Sequence, residues 1–142
     1  MSGKLSNLGD NLALQVITGS AVGARTTYLA LLTGAPPENG TLAGATTTPT
    51  QLEVVTAGYA RTAVTWGSPT GDAPASISNS ASITFPAWAS AQSVPITYAV
   101  LCDVGAGSAG TYLAYWALDA TLSPATGQSV QFAVGALVLT LN

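Results

Sequence analysis

The segment from Ile96 to Asp103 constrains the fold more than any other part of the sequence. It follows Pro95 and ends before a glycine-rich break at Gly105–Gly110. In an extended conformation its two faces are both largely apolar until Asp103 is reached. This pattern is typical of an interior strand covered on two sides rather than of an edge strand. We therefore expect a β-sheet with this segment near its middle.

Other short segments of strand composition lie before and after it, separated by Gly/Pro turns. Such regular spacing is typical of all-β sandwiches and barrels. We predict that residues 1–142 form a single all-β domain, sandwich or barrel-like and antiparallel, with about seven to eight strands and a short N-terminal helix. The strands are predicted at residues 26–33, 59–66, 76–85, 96–103, 111–118, 128–134 and 137–141, with a brief extended stretch at 53–56.

The predicted helix lies within residues 1–19. Leu5, Leu8, Leu12 and Val16 recur at intervals of three or four residues, which places them on one stripe of an amphipathic helix. Ser2 is a candidate N-cap. Two interpretations of the stripe remain open: the helix covers its own sheet, or these four residues form a contact with a neighbouring subunit.

Two segments are predicted to be loops. Residues 38–52 are rich in Gly, Thr, Ala and Pro without any periodicity, and we interpret them as one long loop. Gly105–Gly110 matches the pattern G-x-G-x-x-G, which binds phosphates only when a helix follows it. Here a strand sequence follows, so this segment is interpreted as a hairpin connection.

Charge is scarce in this chain. Charged residues make up 6% of the sequence, against about 25% in a typical domain, and the net charge is −3. Little repulsion would keep copies apart, which favours a protein that works in a permanent assembly. Three basic residues are too few for a nucleic-acid interface. No apolar run is long enough to span a membrane, and the first residues do not form a signal peptide.

Catalytic and metal-binding motifs are missing from the sequence. Without histidine there can be no Ser-His-acid triad and no histidine-ligated zinc. The six carboxylates are dispersed, and the single cysteine, Cys102, is expected to be buried and unreactive. We therefore expect a non-enzymatic protein with no cofactor and no metal site.

Arg61 is the most informative charged residue because it lies inside a predicted strand. Burial of an unpaired guanidinium would be prohibitive, so Arg61 either faces solvent or meets a carboxylate. The candidate partners are Glu53, Asp103 and Asp119. We interpret Arg61 as a member of a structural ion pair, and a contact to another subunit is the alternative.

The sequence resembles a family of small bacteriophage virion proteins of the head decoration and tail fibre types. The resemblance spans most of the chain and is carried by strand sequences, namely Thr27–Thr33, Gly58–Trp66, Asn79–Pro86, Ile96–Val100 and Gly135–Leu139. It implies a structural component of the virion that is assembled in the cytoplasm of the bacterial host.

Two functions are compatible with this resemblance. The first, which we favour from the sequence, is a capsid decoration (cement) protein that binds the phage major capsid protein as a homotrimer. The alternative is a tail fibre or tail-tip protein that recognises a glycan of the host surface. A glycan-binding protein is expected to present aromatic residues in an exposed groove, whereas the three tryptophans here lie in or beside apolar runs. Neither function involves nucleic acid or a membrane.

Overall fold

A computed structural model describes residues 1–5, 9, 25–36, 41–42, 53–71, 75–106 and 110–141. The described chain is nearly all-β, which confirms the predicted fold class. Its ten strands are β1 (Ser2–Leu5), β2 (Thr27–Leu32), β3 (Thr41–Leu42), β4 (Thr62–Val64), β5 (Ala75–Ser78), β6 (Ile83–Thr84), β7 (Ile96–Cys102), β8 (Gly110–Leu122), β9 (Gln131–Phe132) and β10 (Val138–Leu141).

Seven of these strands form one curled sheet, a half-barrel, in the order β4-β2-β7-β8-β1-β10-β5. β3 pairs with the beginning of β8, and β6 and β9 form a separate pair. β7 is an interior strand, as the sequence predicted. The pairs are antiparallel, as predicted, except for β1 and β10, which run parallel.

Main-chain hydrogen bonds link the two ends of the curled sheet. β4 lies at one end and β5 at the other, and the chain just beyond each strand meets its counterpart. The Gly67 amide donates to the Ser78 carbonyl at 2.9 Å, and the Ser80 amide donates to the Thr65 carbonyl at 2.8 Å. These bonds satisfy polar groups that an open edge would leave exposed, which gives the sheet its barrel-like character.

Successive side chains of β7 point to opposite sides of the sheet, and most of the side chains on both sides are buried. One face contributes to the main core, and the opposite face contributes to a second, smaller cluster. The main core contains Leu29, Leu31, Phe85, Trp88, Ala99, Leu101, Ala114, Trp116, Phe132 and Leu137, among others. The second cluster contains Ala30, Leu32, Val100, Cys102 and Tyr112, with Tyr98 and Tyr115 packed against it.

The N-terminal residues form a strand where the sequence predicted the beginning of a helix. Ser2 is therefore not an N-cap, and Leu5 is half-buried in β1 and packs against the main core. Gly3 allows this strand to pass beneath Trp116, because any Cβ atom at this position would overlap the indole ring. The Trp116 Nε1 atom donates to the Val138 carbonyl at 3.0 Å, so the indole spans β1 and reaches β10.

The rest of the predicted helical stripe, Leu8, Leu12 and Val16, lies outside the described residues. Beyond the single helical position Gly9, no helix is seen among the residues that the structure describes. None of the described segments is a helix that is long and apolar enough to cross a membrane. The predicted loop at 38–52 also lies outside the described residues for the most part, although Thr41–Leu42 forms β3.

A buried asparagine interrupts the strand that the sequence predicted over residues 76–85. Asn79 is fully buried, and its Nδ2 atom donates to the carbonyls of Ala81 at 2.9 Å and Ala133 at 2.8 Å. Its Oδ1 atom accepts from the Leu137 amide at 2.9 Å. The side chain thus binds the turn after β5 to the segment between β9 and β10, and β5 and β6 form as separate strands.

Replacing Asn79 by alanine should lower the free energy of unfolding by roughly 2–4 kcal/mol, because the buried Leu137 amide and the partly buried carbonyls of Ala81 and Ala133 would lose their partner. Thermal or urea unfolding measures the change. Gln131→Ala is the matched control, since the exposed Gln131 amide makes a single 3.0 Å bond to Thr84 Oγ1. We expect less than about 0.5 kcal/mol for the control. Equal effects of the two changes would contradict the structural role of Asn79.

Candidate functional site

Arg61 is paired with Glu53, one of the three partners considered from the sequence. Its Nε atom donates to Glu53 Oε1 at 2.8 Å and its Nη2 atom donates to Oε2 at 2.6 Å, which is a bidentate pair. The Nη1 atom donates to the Val104 carbonyl at 2.8 Å. The Arg61 side chain is only 3% exposed and that of Glu53 is 15% exposed, so the pair is largely shielded from solvent.

Tyr59 connects this ion pair to the sheet. Its hydroxyl donates to Glu53 Oε1 at 2.9 Å and accepts from the Leu31 amide of β2 at 3.0 Å. Burial and the nearby Glu53 carboxylate raise the pKa of the Tyr59 hydroxyl well above its usual range. The hydrogen bonds that Arg61 donates to Glu53 likewise raise the pKa of Arg61. Arg61 therefore stays ionised and Tyr59 stays neutral. Glu53, Tyr59 and Arg61 form a hydrogen-bonded cluster with a structural role, which we call the clasp.

Cys102 lies in the second cluster, where β7 ends. Its side chain is fully buried. Burial raises the pKa of the Cys102 thiol to about 12, and the nearby Arg61 guanidinium offsets only part of that effect. A neutral thiol is a poor nucleophile and a poor metal ligand. In the described part of the chain, no cluster of three or more Cys, Asp or Glu residues could hold a metal ion.

A groove on the sheet is the candidate functional site. Its volume is about 330 Å³, and we call it the tyrosine groove. It combines aromatic rings with side chains of both charges. The lining residues are Met1, Lys4, Tyr98, Tyr115, Ala117 and Asp119.

Strand pairing places four of these side chains on one face of the sheet. Tyr115 of β8 lies directly opposite Lys4 of β1, and Ala117 of β8 lies directly opposite Tyr98 of β7. Side chains of directly opposed residues stand on the same face. Tyr115 and Ala117 also share a face because they are two residues apart along β8.

Two register shifts between β7 and β8 shape the surroundings of the groove. Tyr98 pairs with Ala117, but Ile96 pairs with Leu122, so β8 has three more residues here than regular pairing would place. Asp119 lies within this irregular segment, beside the groove. Such bulges re-aim side chains, which places a carboxylate next to the tyrosines.

The second shift inserts one residue and brings Tyr112 to the side of Tyr115. Leu101 pairs with Ala114, whereas Cys102 pairs with Tyr112. Tyr112 and Tyr115 are three residues apart, so regular alternation would place them on opposite faces. Instead their rings meet edge to face, with centroids 6.3 Å apart and an interplanar angle of 82°. Tyr112 thereby supports one wall of the groove from within the second cluster.

The distribution of charge singles out the same groove. The described residues contain six charged side chains, and four of them form the ion pairs Arg61–Glu53 and Arg25–Asp103. The other two are Lys4 and Asp119, which are exposed and both line the groove. Within the described part of the chain neither is in an ion pair, and the hydroxyls of Tyr98 and Tyr115 have no protein partner.

Of the contact residues predicted from the sequence, Leu8, Leu12 and Val16 lie outside the described residues, and Leu5 does not line this groove. Leu5, the one member of the predicted stripe that the structure describes in full, lines a different and almost wholly apolar pocket of about 190 Å³. Gly9, Ile77 and Leu139 lie in the same pocket. The sequence interpretation placed the tryptophans in or beside apolar runs, and Trp88 and Trp116 are indeed buried in the main core. The tyrosines were missed because bulges cannot be located from side-chain alternation.

Comparison with known proteins identifies the family. A family model described as "Podophage GP4 fiber I protein gp80" matches residues 4–140. The chain belongs to this family. The resemblance inferred from the strand sequences is thereby confirmed, and the chain is a bacteriophage virion protein of structural type. A search of curated proteins found no match.

Replacing the buried Arg61 by alanine in this fibre-family protein tests the structural role of the clasp. Arg61→Ala should lower the free energy of unfolding by about 1–3 kcal/mol, because the largely buried Glu53 carboxylate would lose its bidentate partner. Arg25→Ala is the matched control: the Arg25 side chain is 46% exposed and lies 3.5 Å from Asp103, and exposed pairs contribute at most about 1 kcal/mol. Chemical denaturation measures both changes. An unchanged stability of Arg61→Ala would refute the clasp.

Thiol labelling tests the burial of Cys102. With a pKa of about 12, roughly one thiol in ten thousand is ionised at pH 8, whereas a large fraction of an ordinary thiol with a pKa near 8.5 is ionised there. A thiol-reactive dye should therefore label the native protein very slowly between about pH 6 and 9 and label the urea-unfolded protein rapidly. Fast native labelling at pH 8 would show that the thiol is accessible.

Proposed function

We propose that this chain is a structural subunit of a phage fibre. The observation that carries the proposal is the family match over residues 4–140, since the family is described as a fibre protein. This reverses the preference for capsid decoration that we drew from the sequence. The proposal includes the absence of enzymatic activity.

The character of the surface supports a subunit that works in contact with other virion proteins. The ion pairs Arg61–Glu53 and Arg25–Asp103 engage most of the charges that the structure describes. The remaining surface is mainly uncharged and offers little electrostatic repulsion between closely packed copies. We propose that the chain self-associates, with the homotrimer predicted from the sequence as the form to test first.

Capsid decoration remains the second candidate. A sparsely charged surface is equally compatible with close packing on a capsid lattice, where the major capsid protein would be the partner. That function depended in part on the predicted N-terminal helix, but Ser2–Leu5, where its first turn was predicted, form strand β1. The fibre function is therefore the one we develop.

Labelling of intact virions distinguishes the two functions. A peptide tag inserted after Thr126, in the exposed turn between β8 and β9, can be detected with gold-conjugated antibody by electron microscopy. We expect gold particles on the fibres and none on the head. Untagged virions are the control for unspecific adsorption. Gold distributed over the head would contradict the fibre function and support decoration.

A further inference from the structure

The tyrosine groove brings together four polar groups that the described part of the protein leaves without partners. They are the Lys4 ammonium, the Asp119 carboxylate and the hydroxyls of Tyr98 and Tyr115. The other charged side chains of the described residues form ion pairs, whereas Lys4 and Asp119 do not and both lie at this groove. Convergent polar groups around a partly apolar concavity are the usual composition of a small-molecule site.

The chemistry of these groups selects the class of ligand. An ammonium group only donates hydrogen bonds, an ionised carboxylate only accepts them, and a tyrosine hydroxyl does both. A ring that carries several hydroxyl groups can satisfy all of them together. The partly buried tyrosine rings offer apolar surface with a negative face, on which the C–H groups of such a ring can pack.

From this combination we propose that the tyrosine groove binds a neutral saccharide. Lys4 and Asp119 carry opposite charges, so an anionic or cationic ligand would meet one like charge. The volume of about 330 Å³ lies at the lower end of the range of about 300–1,000 Å³ for small-molecule sites, which fits one or two sugar rings. The inference rests on the proposed fibre function for its biological role, since a fibre would expose the groove to sugars of the host surface.

Saturation-transfer NMR on the whole protein tests the proposal with three neutral disaccharides: lactose, cellobiose and N,N′-diacetylchitobiose. Saturation of the aromatic protons should transfer to the ring protons of at least one of them at millimolar concentration. Lys4→Ala and Asp119→Ala should each weaken that binding roughly 10-fold, because each removes a charged hydrogen-bonding group from the groove. Both residues are exposed, so both variants are expected to fold.

Arg25→Ala is the matched control, because it removes an exposed cation that pairs with Asp103 outside the groove. Its binding should equal that of the unmodified protein. The proposal is overturned if none of the three disaccharides shows transfer, or if transfer is unaffected by both groove variants. Preferential binding of the acidic sugar sialyllactose would overturn the neutral class. None of these results bears on virion labelling, so failure of the saccharide site and failure of the fibre function are distinguishable.

Discussion

The pairing of β7 with β8 is the interaction on which the rest of this structure depends. β7 has apolar side chains on both faces, so it can only lie inside a sheet that is covered on two sides. β8 pairs along it with two register shifts, and these shifts decide which of its side chains face the main core. Ala114 and Trp116 enter the core, whereas Tyr112 and Tyr115 stand on the opposite face. A regular ladder would have separated the two tyrosines.

Trp116 extends the effect of this pairing to the other end of the sheet. Its indole ring stacks near Trp66, with centroids 6.4 Å apart, and it lies against Gly3 of β1. Because the ring needs a residue without a side chain beneath it, it selects Gly3 for the position in β1 that it crosses. Its hydrogen bond to the Val138 carbonyl then fixes β10 beside β1. One core residue thus helps to assemble the parallel pair.

The fold was predictable where a local pattern determines it. The two-sided apolar character of Ile96–Asp103 predicts an interior strand, and Gly/Pro turns predict a succession of short strands, as observed. The N-terminal strand could not be foreseen, because Ser2–Leu5 has no strand composition and is held in place by pairing with β8 and β10, which are distant in the sequence. The break at Asn79 was equally hidden, since its three hydrogen bonds go to segments distant in the sequence or to a turn. In both cases tertiary contacts override local propensity.

The positions of the polar groups were likewise predictable only where a local rule determines them. A buried arginine needs a carboxylate, so the sequence could narrow the partner of Arg61 to three residues, and the packing of residues 53–61 against β2 selects Glu53. The groove depends on bulges that leave no mark on the alternation of side chains, so it could not be predicted in this way. What the sequence does contain is the scarcity of charge. Only 6% of the residues of this chain are charged, so the positions of the charged side chains outside ion pairs are informative. The structure places the two such side chains of its described part, Lys4 and Asp119, at a single groove that two tyrosines also line.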